Sequence, residues 1–272
     1  MKHERIYFDP SDDRVYLDTY CIVDPLMSKR DAMLVIPGGG YNHVCADREG
    51  ECVALTFNAK EMNAFVLTYS IGEDAVYPRQ LLDAARAMLY IKTHADEYNV
   101  DPSRIFGVGF SAGGHLLGTL TTLHGVAEEL LGLEKDYLKL SGSIFSYAVI
   151  SAYLGNTHGG TYNNLLKKPL AEYTEEEKDL LSIDHNVDEN TPPAFIWHTS
   201  QDPAVPVEGS MKLAMAYVNA GVPVALHVFP YGPHGIALGK EFSSHGHPGA
   251  VQPLAEVWVD LACKWIRTLP KN

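Results

Sequence analysis

The sequence predicts an α/β fold built on a doubly wound, mostly parallel sheet, and three observations predict it. Apolar runs of strand length recur along the chain and alternate with helix-like segments, the mark of strand–helix–strand units. Most of these runs are continuously apolar rather than alternating, as strands covered on both faces must be. Glycine-rich or proline-containing turns follow several of them directly, at the ends where open α/β sheets collect functional groups.

Taken in order, residues 15–23 alternate with period two and predict an early, half-exposed strand closed by Asp24-Pro25. Ala32-Met33-Leu34-Val35-Ile36 is the first buried strand and runs straight into Pro37-Gly38-Gly39-Gly40-Tyr41. Residues 48–60 predict a helix and 64–69 the next strand. Tyr77-Pro78 opens a long helix through Ala84, Met88 and Ile91 to near Asn99, with Asp83 and Arg86 expected as a helix-face ion pair. A turn at 100–103 leads into Arg104-Ile105-Phe106, a glycine-rich stretch, and a helix through Leu116-Leu117. Residues 141–148 are expected to form another strand.

The pattern then breaks between 151 and 190. Residues 155–164 are polar and turn-forming, and Thr174-Glu175-Glu176-Glu177-Lys178 is a capped, acidic helix start. A loop-rich insertion of this length is expected to form a lid or substrate wall. It precedes a buried strand at 194–199, a helix at 207–220 closed by Gly221, and a last strand at 222–229. A closing helix over 250–269 would bury Leu254, Val257, Leu261 and Trp265. The whole of 1–272 is expected to form one domain.

Charge narrows the partners. Lys and Arg number 21 against 34 Asp and Glu, a formal net charge of −13. Nucleic acid and anionic membrane both reward basic clusters, so neither is expected. Cys21, Cys45, Cys52 and Cys263 lack C-x-x-C spacing, and His245 and His247 lack a carboxylate or cysteine cluster, so no metal is expected. No Gly-Lys-Ser/Thr follows the three glycines, which argues against a phosphate loop, and no cofactor is expected. The first eight residues lack the apolar core of a signal peptide and no run could span a bilayer, so the expected location is cytoplasmic.

The chemistry is concentrated in four places. Gly109-Phe110-Ser111-Ala112-Gly113 fits Gly-x-Ser-x-Gly, which holds a nucleophilic serine on a sharp strand-to-helix turn. Gly38-Gly39-Gly40 after a buried strand frees backbone N–H groups, and paired with the serine turn it reads as a second oxyanion donor loop. Asp202 follows the 194–199 strand, whereas its rivals Asp136, Asp179, Asp184 and Asp188 follow no convincing strand. His234, in Gly232-Pro233-His234-Gly235, follows the last strand; His227 lies inside that strand and reads as packed or surface. The order Ser111, Asp202, His234 is that of one triad architecture among several. His115 is read as supporting the turn rather than reacting.

On these residues the chain resembles the acetyl esterase/lipase group of the α/β-hydrolases, near hormone-sensitive-lipase-like esterases and bacterial acetyl-xylan-esterase-like enzymes. The resemblance runs from Tyr16 onward, and Pro37, where the lipase-like branch carries His, draws it toward members assigned to acetylated sugars. It implies an α/β-hydrolase fold with the insertion placed before the acid-bearing strand. It also implies a serine esterase that deacetylates xylo-oligosaccharides or related sugar acetates, a small-molecule ester as partner. Ser111, His234 and Asp202 would be catalytic, Gly39, Gly40 and Ala112 would form the oxyanion hole, and Tyr41 with the insertion would meet the substrate. Other readings are a general short-chain carboxylesterase, a prolyl-oligopeptidase-like peptidase, and a non-catalytic binding protein of the same fold.

Overall fold

Eight strands form one sheet in the order β1-β2-β4-β3-β5-β6-β7-β8. In chain order they are β1 (Arg5–Tyr7), β2 (Tyr16–Tyr20), β3 (Arg30–Ile36), β4 (Asn63–Thr68), β5 (Val100–Phe110), β6 (Gly142–Ser146), β7 (Ala194–Thr199) and β8 (Val224–Phe229). The first two pair antiparallel and form one flank; every pairing from β4 to β8 is parallel. The computed structural model describes residues 1–9, 12–24, 26–73 and 75–270, so the expected strand stop at Pro25 lies outside the described residues.

The two faces of the sheet are covered separately, and the period of two along each strand assigns the side chains. Ala32, Leu34 and Ile36 of β3 belong to one core, with Phe65 and Leu67 of β4 and Ile196 of β7. Met33 and Val35, Val66, and Phe195 and Trp197 belong to the other. Continuous apolar runs follow from this, since both sets of side chains leave water. The first core is closed by α3 (Arg79–Thr93), α4 (Ser111–Leu131) and α7 (Val207–Asn219), the second by α2 (Glu51–Asn58) and α9 (Trp258–Thr268).

Several expected boundaries move. The helix at 48–60 is two helices, α1 (Ala46–Glu49) and α2, because Gly50 at φ −104°, ψ −98° leaves the helical region. The next helix, α3, ends at Thr93 rather than near Asn99, where His94 at φ −110°, ψ 20° breaks the ladder. The turn at 100–103 sits inside β5, as a shift in register between Arg30↔Val100 and Ala32↔Ile105. Asp83 does approach Arg86 at 3.7 Å, but it is buried and its carboxylate also accepts the Ser70 N–H at 2.9 Å, pinning the chain past β4.

The closing helix is the largest departure. It starts only at Trp258, since the Gln252 N–H goes to the Gly239 carbonyl (2.8 Å) and the chain then advances by tight turns. Trp258, Ala262, Cys263 and Ile266 face the core, while Leu254 and Val257 are 57% and 41% exposed. The real stripe is therefore rotated about one position from the expected one. Between β6 and β7 the insertion folds as α5 (Gly159–Leu166) and α6 (Glu175–Leu181) with two single 3₁₀ turns. At α6 the expected capping box is present: Thr174 Oγ1 accepts the Glu177 N–H and Glu177 accepts the Thr174 N–H. A short α8 (Glu241–Ser244) precedes α9. No helix among the described residues is long and apolar enough to cross a membrane.

Candidate active site

Strand order reverses between β3 and β5, the neighbours from which the chain winds in opposite directions, and ligands favour the crevice at such a point. β3 ends there in the glycine loop and β5 in Ser111. The serine has φ +53°, a left-handed conformation that only close packing sustains. A methyl group added at Gly113 would lie 2.2 Å from the Ile36 carbonyl oxygen, and one at Gly109 would lie 2.5 Å from that of Gly113. The Gly-x-Ser-x-Gly spacing is thus a steric requirement of β3, β5 and α4 meeting at one place.

His234 and Asp202 reach Ser111 from the ends of β8 and β7. Imidazole Nε2 lies 2.8 Å from Ser111 Oγ, and Nδ1 lies 2.7 Å from Asp202 Oδ2. Asp202 is fully enclosed and takes four hydrogen bonds. Its Oδ1 accepts the N–H groups of Ala204 and Val205, both at 2.9 Å, and its Oδ2 accepts from His234 and from His198 Nε2 at 3.1 Å. Burial alone would raise its pKa, but the bonds from His198 and His234 outweigh that and hold it well below the usual carboxylate range. A hydroxyl, an imidazole and a carboxylate so aligned can pass a proton from serine to histidine while the acid fixes the ring tautomer.

His198 was not singled out in the sequence. Its Nε2 faces two acceptors, Asp202 Oδ2 and the Val205 carbonyl (3.1 Å), so it carries the proton, and Nδ1 accepts from Ser210 Oγ at 2.8 Å. The one available signal was a histidine inside a buried strand, four residues before Asp202.

The glycine loop stands over the serine. Gly39 has φ +126°, and a Cβ there would meet the His43 carbonyl oxygen at 2.1 Å. The Gly38 N–H is taken by Glu49 Oε2 at 2.8 Å. Among the described residues the N–H groups of Gly39 and Gly40 have no acceptor, and Ala112, in the first turn of α4, has none within its helix. A cavity of about 330 Å³ opens here, lined by Gly39, Gly40, Arg48, Ser111, His158 and His234 among others. A larger hollow of about 470 Å³ at the opposite strand ends, beside Arg30, Lys60 and Arg104, holds none of the expected site residues.

The insertion supplies part of the wall. Asn164 on α5 donates to the Gly40 carbonyl at 2.8 Å, and His158 caps the same helix by accepting from Thr161 at Nδ1, which leaves its proton on Nε2. Burial and the nearby His234 lower the His158 pKa. Tyr41 is placed away from the cavity lining. It is 1% exposed, its ring packs edge-on to Tyr69, and its hydroxyl donates to His115 Nδ1 at 3.0 Å. His115 in turn donates from Nε2 to the Leu181 carbonyl at 2.8 Å, tying the glycine loop and α4 to the insertion. His227 packs on Phe195, and no cluster of three metal-binding side chains occurs among the described residues.

Sheet, serine turn and the convergence of three strand ends make this an α/β-hydrolase, a fold shared along nearly the whole chain by solved structures of that class. Within it the chain belongs to the BD-FAE family, which matches residues 22–217. It is 38% identical over 229 residues to endo-1,4-beta-xylanase B of Butyrivibrio fibrisolvens, covering 81% of this chain and 35% of that protein. It is 27% identical over 247 residues to the acetylxylan esterase of Xylanibacter ruminicola, covering 88% and 46%. The chain therefore spans less than half the length of either. The crystal structure of an acetyl ester-xyloside bifunctional hydrolase from Caldicellulosiruptor lactoaceticus superposes with a TM-score of 0.79 at 32% identity, covering 96% of this chain and 90% of that one.

Proposed function

We propose that this chain is a serine ester hydrolase that removes small acyl groups, acetyl above all, from xylo-oligosaccharides or related sugar acetates. The observation that carries the reading is the unbroken line from Ser111 Oγ through His234 to Asp202, at 2.8 and 2.7 Å. Ser111 attacks the ester carbonyl as His234 Nε2 takes its proton, and the imidazolium is stabilised by Asp202. The N–H groups of Gly39, Gly40 and Ala112 receive the oxyanion, each such donor typically worth ~3 kcal/mol of barrier. His234 returns the proton to the departing sugar hydroxyl, leaving an acyl-serine. A water deprotonated by His234 then cleaves it, releasing the acid and the free serine.

The sugar part rests on the relatives' names and on the polar wall that the insertion contributes through His158 and Asn164. The xylanase name of one relative does not carry over. Glycoside hydrolysis needs two carboxyl groups flanking the bond, and Glu49 is the one carboxylate among the residues lining the cavity.

Turnover of p-nitrophenyl acetate, butyrate and longer esters, set against release of acetate from acetylated xylo-oligosaccharides, tests the reading. Acetyl preference together with acetate release is expected; equal rates on long chains and none on the sugars would leave a general carboxylesterase. Ser111→Ala is expected to abolish both turnover and stoichiometric labelling by a fluorophosphonate. Surviving labelling would place the nucleophile elsewhere.

A further inference from the structure

We propose that Glu49 and Tyr147 form a buried clasp that sets the oxyanion loop and the histidine loop in register with each other, a positioning role that rests on the Ser111 reading above. Glu49 ends α1, is 2% exposed, and has both carboxylate oxygens engaged. Oε2 accepts the Gly38 N–H at 2.8 Å, and Oε1 accepts the Tyr147 hydroxyl at 2.8 Å. The Tyr147 oxygen accepts in turn the N–H of Ala237 at 3.0 Å, three residues past His234. The Tyr147 ring meets the His234 imidazole edge-on, with centroids 5.1 Å apart and planes at 72°. Three segments distant in sequence, after β3, β6 and β8, are therefore joined through one carboxylate and the tyrosine hydroxyl bound to it.

The join bears directly on the reacting atoms. Gly38 is pressed on the nucleophile turn so closely that a Cβ there would lie 2.8 Å from Ser111 Cβ and 2.7 Å from the Phe110 carbonyl oxygen. The peptide planes that follow it carry the Gly39 and Gly40 donors, so the direction of the Gly38 N–H sets theirs. A carboxylate holds that N–H more firmly than a neutral acceptor would, because charge-assisted bonds are shorter and stronger. A buried carboxylate is tolerated only where its oxygens are paired, so Glu49 keeps both bonds or destabilises its surroundings. Tyr147 sits at φ +38°, and its placement is held by its own N–H to the Trp197 carbonyl at 2.9 Å as well as by the hydroxyl. Neither residue touches the reacting ester carbon; both act through the groups that do.

The test uses the whole chain as Tyr147→Phe, Glu49→Ala and Glu49→Gln, with p-nitrophenyl acetate rates normalised to sites titrated by a fluorophosphonate. Tyr147→Phe and Glu49→Ala are expected to lower kcat roughly 10- to 100-fold, as misplacement of reacting groups by about an ångström does. KM should stay within about threefold, since groups acting only in the transition state are disturbed. Glu49→Gln can still accept from Gly38 through its amide oxygen but leaves the Tyr147 hydroxyl, whose oxygen already accepts from Ala237, without an acceptor, so it should be slowed about as far as Tyr147→Phe. A Tyr147→Phe kcat within about threefold of the parent, or a KM rising while kcat holds, overturns the clasp. So does a Glu49→Gln variant as fast as the parent. Should Glu49→Ala fail to fold, Tyr147→Phe decides, since it removes one hydroxyl and keeps the ring. An unmodified chain with no ester turnover defeats the hydrolase reading instead, whereas turnover undiminished in Tyr147→Phe defeats the clasp alone.

Discussion

His115 should give the fold a measurable acid sensitivity, and the size can be worked from its surroundings. The ring is fully buried, and burial pushes its pKa down to about 4, partly opposed by the bond to the Leu181 carbonyl. In the unfolded chain the imidazole titrates near 6.5. Between those values the unfolded state binds the proton and the native state does not, so stability rises with pH and is lost as pH falls from about 6.5 toward about 4. At pH 5 the exposed imidazole is almost wholly protonated and the buried one about a tenth, and integrating from pH 7 gives a loss of about 2 kcal/mol. Urea unfolding at pH 7 and pH 5, in the parent and in His115→Gln, isolates the contribution, because the other titrating groups are common to both. The variant starts lower, because an amide does not reproduce the ring that accepts from Tyr41 and donates to Leu181, but its stability should fall by about 2 kcal/mol less over the interval. Parallel losses in the two proteins would refute the assignment of a neutral, buried His115 linking Tyr41 to the insertion.

Two further outcomes follow from contacts already described. Gly113→Ala places a methyl group 2.2 Å from the Ile36 carbonyl oxygen and 2.3 Å from that of Pro37. Overpacking against backbone should cost about 3 kcal/mol or more, read as a lowered urea midpoint, and an unchanged midpoint would contradict the close crossing of β3 and α4. His198→Phe leaves Asp202 with His234 and two backbone donors, and losing one bond to a buried charged group should cost about 1.5–3 kcal/mol by the same measurement. A variant as stable as the parent would mean that the 3.1 Å contact contributes nothing.

In the candidate site, Ser111, Asp202, His234 and the three glycines were legible because each follows the carboxyl end of a strand, buried for β3, β5 and β7 and half-exposed for β8. The serine turn demands small residues two positions either side, and the sequence shows them. Glu49, Tyr147 and His198 were not legible in this way. Glu49 lies 98 positions from Tyr147, and nothing local distinguishes it from any acid on a helix surface. Its meaning appears only when the sheet brings the ends of β3, β6 and β8 together. Tyr41 failed for the converse reason. Adjacent to the donor glycines in sequence, it was expected to face the substrate, yet its backbone at φ +58° accompanies a side chain buried against Tyr69 and His115. The closing helix shows how little separates two readings of a stripe. Leu254, Val257, Leu261 and Trp265 have helical spacing, but so do Trp258, Ala262 and Ile266, and the second set alone lies within the segment that is helical from end to end.

The placement of the insertion has a consequence for how such a site could change its substrate. The N-cap of α5, His158, is a wall residue, and through Asn164 the helix also holds the carbonyl of Gly40, one of the proposed oxyanion donors. The Leu181 carbonyl of the same insertion fixes His115, and His115 fixes Tyr41, which follows Gly40. Wall and donor loop are therefore braced against each other at both ends. A replacement wall that kept the serine, histidine and aspartate but dropped these two bonds would leave the Gly39 and Gly40 donors less firmly directed. Since donors gain their effect by being fixed before the charge develops, a change aimed at substrate shape would reach the rate of acyl transfer as well.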